Sequence, residues 1–214
     1  IKNQDYAGEM EIIVVDYKSR DGTRKIAKKH TNKVLSIKKS GIAAGRNEGA
    51  RFAKGDILIF VDADTTVQPN TVSELVNALK RKNTVGATCF IMPDNARNKN
   101  MLLFFGYNNF IRASLKTKKA CMTGLCIACR KNSFEKINGF DEKIKVLEDF
   151  DFAERLRRIG KLAFVDKTFV TTSTRRLARW GRFAAMRRYV GLYFDHLLKK
   201  KLFGDKNYLP VRRV

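Results

Sequence analysis

Asp62 and Asp64 stand one residue apart at the end of an apolar run, Ile57-Leu58-Ile59-Phe60-Val61, and no other pattern in the chain is better placed to do chemistry. A continuous apolar run with Gly55-Asp56 before it and acids after it reads as a strand buried on both faces, central in a parallel sheet. In open α/β sheets ligands bind in the crevice beyond the carboxyl ends of such strands. Paired carboxylates there suit a hard divalent cation, Mg2+ or Mn2+, that also holds substrate phosphates. The same residues also read as a solvated turn in which Asp64 and Thr65 cap the next helix. Glu148-Asp149, with Asp151 close behind, leads into a helix, Ala153 to Ile159, whose later turns carry Arg155, Arg157 and Arg158. Acids first and bases last match the helix dipole whatever else they do. Asp16 ends a further apolar run, Glu11-Ile12-Ile13-Val14-Val15. Arg46 sits in the small-residue stretch Gly41 to Ala50, where a helix start can pack closely on a sheet and bring a guanidinium near an anion. That stretch has neither the dinucleotide-binding nor the P-loop spacing.

The elements that must position these residues alternate. A strand over Glu11–Asp16 is followed by a basic helix of about residues 22 to 30, a short strand Val34–Ile37, and a helix running into Lys54 and closed by Gly55. After the acidic turn, Pro69 opens a helix, Thr71 to Lys82, with a core-facing stripe of Val72, Leu75, Val76 and Leu79. Val85 to Met92 is a strand, Asp94 to Asn100 a polar connection, Met101 to Leu115 a helix, and Cys121 to Arg130 a strand of small residues. A helical turn over Asn132–Ile137, the turn Asn138-Gly139-Phe140-Asp141 and a strand Leu162–Val165 complete the order. Strand and helix in alternation imply parallel βαβ units and an α/β fold.

At 214 residues and 44% hydrophobic content the chain can bury a sizeable core. Lys+Arg 44 against Asp+Glu 21 gives a net charge of +23, which draws the protein to polyanions: nucleic acid, anionic headgroups or phosphorylated substrates. Cys89, Cys121, Cys126 and Cys129 form neither a disulfide framework nor paired zinc knuckles, and read as reduced, buried thiols of a cytosolic protein. No apolar run approaches the roughly 18 residues of a membrane-spanning helix. From Leu177 to Phe203 bases alternate with Trp180, Phe183, Tyr189, Tyr193, Phe194 and Leu197 at roughly helical spacing. Such a helix either lies on an anionic membrane surface or packs back on the domain with a solvated basic face. Two functional classes follow: an enzyme with an acidic cleft, or a non-catalytic basic module for nucleic acid or anionic membrane. The acids in the cleft disfavour nucleic acid as the partner.

The order of these blocks resembles the inverting glycosyltransferases of family 2, which have the GT-A fold. The resemblance runs through Glu11–Asp16 with Ser19-Arg20-Asp21-Gly22-Thr23, Gly45-Arg46-Asn47-Glu48-Gly49-Ala50, and Asp62-Ala63-Asp64. It continues through Thr123-Gly124, Asn138-Gly139-Phe140-Asp141-Glu142 and Leu147-Glu148-Asp149-Phe150-Asp151, and covers about residues 9 to 176. It implies a three-layer sandwich with a mostly parallel central sheet over residues 1–176, then a basic amphipathic extension over 177–214. It further implies that Asp62 and Asp64 hold Mn2+ or Mg2+ on the diphosphate of a nucleotide-sugar donor. Asp16, Arg46 and Asp62 would contact the donor nucleotide. Asp149 would be the general base that deprotonates the acceptor hydroxyl, with Gly124 and Glu148 on the acceptor side. The acceptor implied is a glycan or a lipid-linked glycan at the cytoplasmic membrane face, with residues 177–203 in peripheral contact with the anionic membrane. Family members begin with a further strand and helix, so this chain is expected to be truncated at its N-terminus and to lack part of the donor pocket. Tyr17 and Asn138 stand where the family commonly has an acid and a glycine, so nucleobase preference does not carry over.

Overall fold

The computed structural model describes residues 1–95 and 98–175 and, beyond them, residues 179, 181, 184, 187, 190–194 and 198. Its elements run β1 (Ile13–Asp16), α1 (Thr23–Lys28), β2 (Lys33–Ser36), α2 (Ile42–Phe52), β3 (Ile57–Val61), β4 (Thr65–Val67), α3 (Thr71–Lys80), β5 (Thr84–Pro93), α4 (Asn98–Ser114), β6 (Cys126–Arg130), α5 (Lys131–Lys136), α6 (Glu148–Ile159) and β7 (Lys161–Thr172). β1 and β2 form a parallel pair, and the remaining strands form one sheet in the order β3-β6-β5-β7-β4. In that sheet β3, β5 and β7 share one direction, while β6 and β4 run against them.

The period of two in the strands builds the layers. Leu58 and Phe60 of β3 and Ile127 and Cys129 of β6 point into one cluster, with Ala43 and Ala50 of α2, Phe134 of α5, Phe140, and Phe152 and Leu156 of α6. The alternate residues Ile57, Ile59, Val61, Cys126 and Ala128 face the other way, against Leu75, Ala78 and Leu79 of α3 and Phe104 and Tyr107 of α4. The result is the expected three-layer α/β sandwich, with α2, α5 and α6 on one face and α3 and α4 on the other. A continuous apolar run is what a strand covered on both faces requires. Beyond Ala87, where β6 stops pairing with β5, buried Asn108 takes over part of its role. Its side chain accepts from the Ile91 N–H and donates to the Ile91 carbonyl, both at 2.9 Å.

Several expectations are corrected. β3 is covered on both faces but is not central: it ends the five-stranded sheet, and of its residues only Leu58 is fully buried. The reason lies in β1, whose ladder goes to β2 alone among the described residues, so β3 has a neighbour on one side only. Helix α2 bridges the two sheets, with Gly49 riding close over Val15 of β1 while Ala43 and Ala50 join the cluster over β3. Asp64 and Thr65 do not cap a helix. The chain turns, with the Thr65 N–H donating to the Asp62 carbonyl at 3.0 Å, and enters β4, which pairs with the end of β7. Only the second half of Cys121–Arg130 is strand; the first half is a buried loop bent at Gly124. β7 runs on past Val165 to Thr172, with a register shift against β5 between Cys89 and Phe90. Helix α2 ends at Ala53 in extended backbone, before Gly55. The four cysteines are free and buried.

The amphipathic helix expected over 177–203 lies largely outside the described residues. Within the described part, residues 190–194 are helical. Leu192 is buried there, and Tyr193 packs edge-on against Phe110 at 5.0 Å and Phe150 at 6.1 Å. Val190 and Phe194 are exposed. No described helix is long and apolar enough to cross a membrane.

Candidate active site

Four separate elements deliver polar groups to one point. Helix α2 carries Arg46, the end of β3 carries Asp62, the loop before β6 carries Gly124, and the first turn of α6 carries Glu148 and Asp149. Arg46 is the hub. Its Nη1 donates to Glu148 Oε1 at 2.8 Å, and its Nη2 donates to Asp62 Oδ1 and to the Gly124 carbonyl, each at 3.0 Å. The guanidinium also lies 5.2 Å from the centre of the Phe140 ring. Asp149 joins through Gly124, whose N–H donates to Asp149 Oδ2 at 2.7 Å. Gly124 therefore donates to one charged group and accepts from another. A Cβ at this position would lie 2.5 Å from Arg46 Nη2 and 3.2 Å from Asp149 Oδ2, so only glycine fits.

One guanidinium among three carboxylates leaves the cluster with surplus negative charge. Burial works against the charge on Arg46, but the carboxylates of Asp62, Glu148 and Asp149 outweigh it and raise its pKa. Asp149 absorbs the surplus. Desolvation and the Glu148 charge push its carboxyl up to about 7, against the opposing pull of Arg46 and the Gly124 N–H. A carboxyl with a pKa near neutrality is matched to accepting a proton from a hydroxyl. The start of α6 also presents its dipole to these acids.

Asp64 does not join the cluster. Its Oδ2 accepts from Arg175 Nη2 at 3.0 Å on the rim, where both side chains are exposed by more than 40%. Asp16 is buried at the end of β1 but serves its own turn, accepting weakly from the Ser19 N–H at 3.4 Å and lying 4.0 Å from Arg24 Nε. Among the described residues no group of three or more His, Cys, Asp or Glu side chains converges as a metal cage. Two partly exposed carboxylates on one turn, already matched with cationic partners, nevertheless fit an ion that completes its shell with substrate phosphates. Mg2+ sites are commonly built in this way.

Sequence reasoning missed the residues that hold the site in shape. Asn47, next to Arg46, accepts from the Phe140 N–H at 2.8 Å and donates to the Phe140 carbonyl at 2.9 Å. From α6, Arg155 donates to the carbonyls of Ile137 at 2.7 Å and Gly139 at 2.6 Å. Together they pin the Asn138-Gly139 turn, where both residues have positive φ, and so seat Phe140 beneath Arg46. Asparagine in the middle of a predicted helix was the available signal, since its side chain competes with helical backbone for hydrogen bonds. Arg175 was hidden in a run of bases.

The chain has relatives among known proteins. The model of a family described as "Glycosyl transferase family 2" matches residues 1–138, more than half of the chain. The chain belongs to this family. Among curated relatives it is 27% identical to the cholesterol galactosyltransferase of Borreliella burgdorferi over 191 residues, covering 78% of this chain and 52% of that one. It is also 27% identical to the O-antigen chain rhamnosyltransferase WbaN of Salmonella anatum over 181 residues, covering 76% and 56%. This chain thus spans about half the length of the curated relatives it matches. Its fold is that of the mannosyltransferase PcManGT from Pyrobaculum calidifontis, solved with GDP-Man and Mn2+. The TM-score is 0.63 at 21% identity, over 79% of this chain and 50% of that one.

Proposed function

We propose that this family 2 glycosyltransferase domain transfers a sugar from a nucleoside diphosphate sugar to a hydroxyl of a glycan or lipid-linked acceptor, with inversion and with a divalent cation. The observation that carries the proposal is the Arg46 cluster, in which a carboxyl raised to about 7 and an ionic turn at a strand end are held together by one glycine. Asp149 takes the acceptor proton as the hydroxyl oxygen bonds to the anomeric carbon and the bond to the diphosphate breaks. Inversion follows from this single displacement. The Gly124 N–H holds Asp149 in place, and burial, the Glu148 charge and Arg46 set its proton affinity. Asp62 and Asp64 would hold Mn2+ or Mg2+, which would supply Lewis-acid stabilisation of the leaving diphosphate. Asp16, at the end of β1, would stand on the nucleotide side. The complex of PcManGT with GDP-Man and Mn2+ supports a nucleotide-sugar donor and a divalent cation.

For the acceptor side, exposed Val190 and Phe194, and exposed Leu102 and Phe105 of α4, on a chain of net charge +23, support peripheral contact with an anionic membrane. The inner face of the cell membrane is the location this reading assigns. The reading is tested by thermal stabilisation with a panel of nucleotide sugars, with and without Mn2+. One donor should raise the melting temperature only in the presence of metal, and Asp62→Asn or Asp64→Asn should abolish the rise. A metal response that survives both substitutions would remove the two aspartates from the site.

A further inference from the structure

We propose that Arg175 is a diphosphate-binding residue that rests on Asp64 in the free protein and exchanges that carboxylate for donor oxygens when metal and diphosphate bind. The inference builds on the glycosyl-transfer reading above and assigns a role to a residue that reading leaves unused. The sheet imposes its position. β4 and β7 pair antiparallel, with Val67 opposite Val170 and Thr65 opposite Thr172. Carried one step further, that register sets Ser173 against Asp64, so the chain leaving β7 must pass the acidic turn. Thr174 fixes the passage, its N–H and hydroxyl donating to Asp94 Oδ1 at 2.9 and 2.7 Å. The Asp94 N–H in turn donates to the Thr172 carbonyl at 2.9 Å. Arg175 Nε donates to Ser173 Oγ at 3.1 Å, which aims the end of the guanidinium at Asp64.

The guanidinium thus stands on the carboxylate to which the donor-site reading assigns a cation. Two cations competing for one carboxylate repel, so a divalent ion at Asp64 must displace Arg175. The pair is exposed on both sides and therefore easily exchanged. Its backbone is still tethered through Thr174 and β7, so the released guanidinium stays beside the acidic turn. Its planar fork matches two phosphate oxygens. There it would neutralise charge on the diphosphate as the glycosidic bond to it breaks. No covalent step involves Arg175.

The test uses Mn2+ alone, read by the loss of the free-ion electron paramagnetic resonance signal, and Mn2+ with UDP, GDP or inorganic pyrophosphate, read by calorimetry. Arg175→Gln should bind Mn2+ alone about two- to fivefold more tightly, because a competing exposed ion pair is gone. The same variant should bind the Mn2+-diphosphate about tenfold more weakly, the scale of one lost charge-assisted contact. Arg175→Lys should restore the competition with Mn2+ but only part of the diphosphate affinity. A merely structural role would move both affinities the same way. Unchanged or weaker binding of Mn2+ alone in Arg175→Gln, or unchanged diphosphate affinity, overturns the proposal. If the native protein binds no diphosphate in the presence of Mn2+ and Asp64→Asn binds Mn2+ as the native protein does, the donor-site reading itself has failed and the role of Arg175 falls with it.

Discussion

Arg46 and Arg175 hold the two aspartates of a single turn, one from within the protein and one from its rim. Arg46 is 9% exposed, with two carboxylates, a backbone carbonyl and an aromatic face around it, and every contact comes from a different element. Arg175 is 44% exposed and shares Asp64 with solvent. Buried charges persist only when fully matched, whereas exposed pairs contribute little and exchange readily. The inner pair is therefore framework and the outer pair a moving part. On the proposed reading, a site that must keep its base in place yet admit a charged donor needs both.

The sharpest test of this contrast is Arg46→Ala. It strands Glu148 and Asp62 beside one another and should cost about 3–5 kcal/mol of stability in urea unfolding; a cost under ~1 kcal/mol would erase the distinction between the two pairs. Gly124→Ala comes next. Its methyl would push Arg46 away from Asp149 inside a packed cluster, with an expected cost of about 1–3 kcal/mol and loss of transfer.

Asp149→Asn acts through protons. The folded chain holds this carboxyl at about 7 against an ordinary 3.8, so between those values it keeps a proton that the unfolded chain has released. Stability therefore falls as pH rises from about 4 to about 7, and the loss is complete above the folded value. Asparagine removes that slope. Melting curves should converge at low pH and separate at pH 8 in favour of the variant, while transfer is lost. The smallest effect belongs to the rim: Asp64→Asn should leave stability unchanged within about 0.5 kcal/mol. A larger loss there would make the outer pair structural too.

The sequence was most informative where local chemistry and tertiary position coincide. Asp62, Glu148 and Asp149 fall at strand and helix ends, and the structure gathers them with Arg46 as their positions imply. Asp64 was legible as an acid but not as the partner of Arg175, because that contact depends on β4 meeting β7, a pairing over more than a hundred residues. β4 itself is three residues long and carries no periodic signal of its own. The place of β3 at a sheet end was equally invisible. Its side chains report what covers its two faces, and those are covered as the apolar run requires; which strand lies beside it is a matter of backbone. Asn47 and Arg155 act on carbonyls and amides around the Asn138-Gly139-Phe140 turn, and apart from an asparagine set inside a helical pattern such backbone contacts leave no mark in a sequence.

The division of the strands into two sheets also has a dynamic consequence. The β1–α1–β2 unit shares no strand ladder with the five-stranded sheet among the described residues. It is held chiefly by α2 and by Glu11, which accepts from the Lys54 and Gly55 N–H groups. Hydrogen bonding to Lys33 keeps that carboxyl down at about 2, so the tie persists through the physiological range. A unit that shares no strand ladder with the sheet beside it opens at a lower free energy, and its amides exchange with solvent ahead of those in β5 and β6. Arg46 lies on that same helix. Each local opening therefore loosens the hub of the site, and a ligand that closes on Asp16 and Arg46 together slows exchange across the whole unit.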